Sequence, residues 1–105
     1  IKKQKSLKKI TRLIRERLSD RLVAVYAFGS RVRGDHKEWS DFDVLVVVRK
    51  RDPDLEKGII EIFVLEELES GVSFTPVIKD LESFEKEKKY HTPFYENIVK
   101  EGIAL

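Results

Sequence analysis

The chain has 105 residues, of which 41% are hydrophobic and 38% are charged, and its formal net charge is +2 at pH 7. This length fits a single domain, residues 1–105, with one modest core. The near-balance of charge disfavours a strongly basic nucleic-acid binder, and the absence of cysteine excludes disulfide frameworks and thiolate metal sites. The sequence contains no bilayer-spanning apolar run and no signal-peptide pattern, so we expect a cytoplasmic protein.

The first segment, from about Lys3 to Asp20, is predicted to form an amphipathic helix. Lysine and arginine occupy the face opposite the apolar positions, and we favour solvation of this basic face over contact with nucleic acid. The apolar positions at helical spacing are Leu7, Ile10, Leu13, Ile14 and Leu18. Leu22 to Phe28 then form a strand that is apolar on both faces, as is typical of a covered central strand.

The region after residue 50 predicts a helix from Leu55 to about Ser70, with Asp54 as its N-cap and Gly71 as its C-terminal stop. Val72 to Lys79 follow as a third strand. Pro76 lies within this strand, and because proline cannot donate a backbone hydrogen bond, it favours an edge position or a bulge.

The C-terminal region predicts two short helices. Asp80 caps the first, LESFEKEKKY, and Thr92 caps the second, which has Pro93 at its first position and ends at Gly102. The residues of the last helix expected to be buried are Phe94, Tyr95, Ile98 and Val99. The alternation of strands and helices predicts an α/β (α+β) domain with helices packed against a small sheet.

The stretch from Val23 to Val48 contains the clearest functional pattern. The first strand ends at Gly29-Ser30, and a second strand opens with Asp41-Phe42-Asp43 and continues through Val44 to Val48. Side chains alternate along a strand, so the two aspartates share one face. Such paired carboxylates repel each other unless a cation lies between them, and hard cations such as Mg²⁺ prefer oxygen ligands. Glycine allows a bulky anion to approach the backbone closely, so this pattern favours a metal-bound phosphate.

Gly29-Ser30, ten intervening residues and Asp41-x-Asp43 resemble the signature of the polymerase-β-like nucleotidyltransferase superfamily. The small size and the form GSRVRGDHKEWSDFDVLVVV resemble its minimal nucleotidyltransferase (MNT) branch. The resemblance implies a mixed sheet with the site near the Gly-Ser turn. It also implies Mg²⁺-dependent transfer of a nucleotide from a triphosphate such as ATP to an acceptor oxygen, with loss of pyrophosphate.

The resemblance implies specific roles for the motif residues. Asp41 and Asp43 would be the catalytic metal ligands, and Gly29 and Ser30 would hold the β- and γ-phosphates. The cofactor-binding group is completed by Arg31 and Ser40. For Arg31, phosphate neutralisation and an ordinary loop charge are equally supported. Ser40 can also hydrogen-bond locally to shape the chain before Asp41.

One departure from the family pattern concerns a third carboxylate, which the family usually places on a later strand. The corresponding strand here holds Ser73 and Thr75. Asp80 lies just past its end and Glu61 lies in a predicted helix, so neither is a clear substitute. Loss of this ligand would remove a negative charge and the expected general base.

Three functions follow from these observations. The first is transfer of a nucleotide monophosphate, AMP from ATP, to a protein, because the MNT branch is commonly encoded beside a HEPN-type partner in toxin–antitoxin pairs. The second is a catalytically weak or inactive module that binds and neutralises such a partner. The third is transfer to a small molecule, for which no acceptor-binding domain is visible. The sequence leaves homo-oligomerisation open.

Overall fold

The computed structural model describes residues 2–28 and 42–105, in which a mixed sheet carries two helices on each face. Its elements are α1 (Lys2–Leu18), a 3-10 turn (Ser19–Arg21), β1 (Leu22–Phe28), β2 (Phe42–Val48), α2 (Pro53–Ser70), β3 (Phe74–Asp80), α3 (Leu81–Lys89), α4 (Pro93–Glu101) and β4 (Ile103–Ala104). The strand order within the described ranges is β3-β2-β1-β4. This architecture confirms the predicted α/β (α+β) class with a small mixed sheet.

The strand register brings three strand ends to one edge of the sheet. β1 runs antiparallel to β2, so that Phe28 lies opposite Asp43. β2 runs parallel to β3, so that Asp43 lies beside Thr75. The last residue of β1 and the first residues of β2 and β3 therefore meet at this edge, which we call the site edge. β4 pairs antiparallel with the other side of β1, where Ala27 lies opposite Ile103.

The larger core lies between the sheet and helices α1 and α2. Alternate residues of β2 point into it, and α1 contributes three of the apolar residues predicted from the helical spacing. Its best-buried side chains include Ile10, Ile14, Leu18, Val44, Val46, Val48 and Ile59. The apolar face of α1 is therefore confirmed, with Leu7 and Leu13 packing partly buried against this core.

A smaller core lies on the opposite face of the sheet, under α3 and α4. It contains Phe28, Leu45, Val47 and Ile98, with Phe84 and Phe94 packed against it from α3 and α4. Asp43 alternates with Val44 along β2, so it shares this second face of the sheet with Leu45 and Val47.

The ends of α2 show one correct prediction and one wrong one. Gly71 is the C-cap with φ +79°, a left-handed conformation that glycine adopts without steric cost. The N-cap is Asp52, whose side chain accepts a hydrogen bond from the Leu55 N–H at 3.0 Å. The prediction of Asp54 as N-cap is therefore wrong. Pro53 suits the first helical position because its missing N–H would have had no partner there, and this moves the cap back to Asp52.

Two other predictions are corrected in the C-terminal half, and one strand was not predicted. β3 was predicted from Val72 to Lys79, but it begins at Phe74 and ends at Asp80; it is an edge strand, as Pro76 indicated. Val99 is 63% exposed because it lies about 100° around the helix from the buried Ile98. β4 was not predicted, since a strand of two residues shows no periodicity. Across the described ranges, no helix combines the length and apolar character needed to cross a membrane.

Candidate functional site

Asp43 lies at the site edge, near the start of the central strand β2. Its neighbours in register are Phe28, the last residue of β1, and Thr75, near the start of β3. The Asp43 side chain is half-buried, and the residues that follow it in β2 are fully buried. The sheet therefore holds this carboxylate on a rigid strand while leaving it partly open to solvent.

The remaining residues of the predicted site lie outside the described residues. They are Gly29, Ser30, Arg31, Ser40 and Asp41. Their places in the chain are nevertheless informative, because Gly29 directly follows Phe28 and Asp41 directly precedes Phe42. The described residues on either side of them, Phe28 and Phe42, both lie at the site edge.

The position next to Asp43 on β3 is occupied by Thr75, whose side chain is exposed. Ser73 precedes the strand, and its hydroxyl donates to Glu67 Oε1 at 3.4 Å. Neither residue can supply a carboxylate. Within β3, therefore, the position beside Asp43 carries a neutral hydroxyl.

The two other acids considered from the sequence lie far from Asp43. Asp80 pairs with Val48 at the opposite end of β3, about 16 Å from Thr75 at the usual rise per residue. It caps α3, and the backbone N–H of Ser83 holds the pKa of its carboxyl below the usual range. Glu61 is exposed on α2, which covers the other face of the sheet. In the ranges 2–28 and 42–105, no group of three or more histidine or acidic side chains could hold a metal ion.

Lys79 is a cation on the same face of β3 as Thr75, and it lies outside the family motif. Lys79 Nζ lies 2.6 Å from Glu87 Oε2 of α3 and 4.8 Å from the centre of the Phe94 ring of α4. Lys79 holds the pKa of the Glu87 carboxyl below its usual range, and a hydrogen bond from Thr92, the N-cap of α4, lowers it further. The alternation of Thr75, Val77 and Lys79 along β3 was the signal for this placement.

This ion pair fixes the position of α4 relative to the site edge. The Phe94 ring contacts Phe28 edge-on, with 5.6 Å between ring centres, and Phe28 lies opposite Asp43. Lys79, Glu87 and Phe94 thus connect α3 and α4 to the strand end next to the candidate carboxylate. Lys79 itself is paired with Glu87.

The described part of the site suits a hard cation. Asp43 supplies oxygen donors, is partly open to solvent and is held by a rigid strand. Mg²⁺ is commonly bound by one or two carboxylates together with water and substrate phosphates. A second carboxylate at Asp41, two residues before Asp43, would complete such a donor set.

Residues 7–105 match the family model of the nucleotidyltransferase domain. A candidate protein adenylyltransferase of Methanocaldococcus jannaschii, MJ0604, is 29% identical over 102 residues, which are 97% of this chain and 96% of that protein. The match therefore extends over nearly the whole of both sequences.

Two solved structures resemble the fold. The spectinomycin adenyltransferase AAD(9) of Enterococcus faecalis, solved with ATP and spectinomycin, has a TM-score of 0.58 and 26% identity, covering 75% of this chain and 34% of the enzyme. The complex of a tri-AMPylated Shewanella oneidensis HEPN toxin with its MNT antitoxin gives a TM-score of 0.54 at 18% identity, covering 96% of this chain and 69% of the matched chain. At that identity the second likeness concerns the fold alone.

Proposed function

The chain belongs to the nucleotidyltransferase domain family, and we propose that it transfers AMP from ATP to a protein acceptor in a Mg²⁺-dependent reaction. The main observation in support is the position of Asp43. It lies at the start of a central strand, beside the strand end from which Gly29-Ser30 continues. This is where the family signature would bring a metal-binding carboxylate next to a phosphate-binding turn.

In the proposed reaction an acceptor oxygen attacks the α-phosphorus of ATP. The new P–O bond forms as the bond to pyrophosphate breaks, and the acceptor hydroxyl releases its proton to solvent. Asp41 and Asp43 would hold Mg²⁺, which supplies charge neutralisation and lowers the pKa of the attacking hydroxyl. Gly29 and Ser30 would bind the β- and γ-phosphates through backbone N–H groups and a hydroxyl. Arg31 would neutralise charge on the phosphates, and Ser40 would shape the chain before Asp41.

A protein acceptor is favoured by the relatives. The M. jannaschii relative, which matches over nearly its whole length, is named as a candidate protein adenylyltransferase. The S. oneidensis complex joins a chain of this fold to a HEPN toxin that carries three AMP groups. We therefore propose a HEPN-type protein as both the partner and the acceptor, in an antitoxin role.

The alternative function is partner binding without efficient transfer. Thr75 beside Asp43 is the observation that favours it, because a threonine cannot take a proton from the acceptor hydroxyl as a carboxylate can. Such a module would retain the fold and the nucleotide site and would neutralise its partner by binding. Transfer of radiolabelled AMP from ATP to a HEPN-type partner would decide for the enzyme, and binding without label would decide for the alternative.

The nucleotide site itself is tested by calorimetric titration of ATP with and without Mg²⁺. We expect Mg²⁺-dependent binding by the wild type and its loss in Asp43→Asn. The matched control is Asp54→Asn, which makes the same chemical change at an exposed position on α2 and should leave ATP binding intact. ATP binding that is unaffected by Asp43→Asn would contradict the proposed site.

The same variant separates a functional role of Asp43 from a structural one. Asp43→Asn removes like-charge repulsion with Asp41, so the melting temperature should stay equal or rise. A large fall in melting temperature would instead show that Asp43 stabilises the fold, and the metal assignment would then be wrong.

A further inference from the structure

The outer surface of helices α1 and α2 is divided by charge. Among the residues that the structure describes as exposed, α1 carries five basic residues and one acidic residue, whereas α2 carries four acidic residues and one basic residue. The two helices lie side by side on one face of the sheet, so a basic half and an acidic half adjoin. Exposed residues at helical spacing on α1 are Lys5, Lys8, Arg12 and Arg15.

The acidic half also exposes large apolar side chains. Val64, Leu65 and Leu68 are 47%, 60% and 77% exposed and lie on the outer side of α2. Glu61 is exposed one helical turn before Leu65. We refer to the exposed residues of both helices together as the α1–α2 face.

The two helices run antiparallel, and their contacts define which residues lie level with each other. Near one end, Lys9 Nζ lies 3.3 Å from Glu66 Oε1. Toward the other end, the guanidinium of Arg17 lies against Gly58. By interpolation between these contacts, Arg12 is level with the turn of α2 that contains Glu61 and Val64.

We propose that the α1–α2 face binds the same face of a second copy of this chain around a two-fold axis parallel to the helices. Two identical surfaces must be self-complementary to form such an interface. An axis perpendicular to the helices, in the plane of the interface, would stack α1 on α1 and α2 on α2. This arrangement places like charges opposite each other. An axis along the helices stacks the basic α1 of one copy on the acidic, apolar α2 of the other. Charge complementarity therefore selects the second arrangement.

The symmetry also predicts which residues meet. Rotation about an axis parallel to the helices leaves each residue at the same height along that axis. Arg12 of the second copy therefore lies near Glu61 and Val64, and Lys8 of the second copy lies near Leu68. Long basic side chains cover apolar surface with their methylene stems while their charged ends reach acidic groups, so this pairing shields the exposed apolar residues of α2.

The apolar part of the proposed interface is tested by sedimentation equilibrium over a range of concentrations. We expect the wild type to reach twice the chain mass and Leu68→Glu to remain at the mass of one chain. Leu68 is largely exposed in the single chain, so circular dichroism should show an unchanged fold. The control is Val99→Glu, which places the same charge on the exposed side of α4 and should dimerise like the wild type.

The pairing is tested by charge reversal. Arg12→Glu and Glu61→Arg should each weaken the dimer, and the two changes together should restore it, because the exchanged charges again face each other. Arg12 also lies 3.5 Å from Glu16 in its own helix, so the melting temperature of each single variant is measured as well. A wild type that is monomeric throughout, a dimer that survives Leu68→Glu, or a double variant no better than the single ones would overturn the proposal.

Discussion

Ser6→Ala is expected to destabilise the protein because it removes a hydrogen bond to a buried carboxylate. The Ser6 hydroxyl donates to Glu66 Oε2 at 2.7 Å and joins α1 to α2. Only 3% of Ser6 and 5% of Glu66 remain exposed, so water cannot replace the lost donor. Lys9 is left as the cation facing this carboxylate, with its Nζ 3.3 Å from Oε1.

The expected loss in the free energy of unfolding is about 2 kcal/mol, since hydrogen bonds to charged groups contribute roughly 1.5–3 kcal/mol. For a domain of this size that corresponds to a fall in melting temperature of about 10 °C. Urea titration of the wild type and the variant measures the difference. Ser83→Ala is the matched control, because Ser83 is exposed on α3 and its change should stay within about 0.5 kcal/mol.

The effect of pH on this difference tests its electrostatic origin. Burial raises the pKa of Glu66, but the hydrogen bond from Ser6, the nearby Lys9 ammonium and the Ser70 hydroxyl outweigh it and hold the pKa below the usual value of 4.5. A depressed pKa contributes stability at neutral pH that is lost as the pH falls through the folded-state pKa. The wild-type advantage over Ser6→Ala should therefore narrow below about pH 4.5. A loss under 0.5 kcal/mol, or a difference independent of pH, would refute this reasoning.

Three further predictions concern the site and the fold. Thr75→Asp adds a carboxylate beside Asp43, so thermal denaturation should show a lower melting temperature without Mg²⁺ and a larger rise on adding Mg²⁺ than in the wild type. An unchanged response to Mg²⁺ would mean that residue 75 does not face the metal. Lys79 depresses the pKa of Glu87, so this pair stabilises the fold at neutral pH and loses that effect as the pH falls below 4.5. Glu87→Gln should therefore flatten the plot of unfolding free energy against pH in this range, and an unaltered plot would contradict a stabilising Lys79–Glu87 pair. Gly71→Ala should lower the free energy of unfolding in urea by about 1 kcal/mol because of the positive φ, whereas an unchanged midpoint would show that the cap tolerates a side chain.

Features that depend on residues close together in the chain were predictable from the sequence. The bounds of β1 agree with the prediction, as do the caps Asp80 and Thr92 and the stop at Gly71. Each depends on local periodicity, on a side chain that reaches a nearby N–H, or on a backbone conformation that glycine permits. The family motif was recognisable for the same reason, because its spacing is a local property of residues 29–43.

Contacts between residues far apart in the chain became visible only in the folded protein. The parallel register of β2 and β3 places Thr75 beside Asp43, and the packing of α3 and α4 brings Glu87 and Phe94 to Lys79. Strand order, register and helix packing join residues far apart in the chain, and many pairings satisfy the same alternation of apolar and polar residues. The sequence thus identified a candidate carboxylate, and only the assembled sheet showed that a threonine lies next to it.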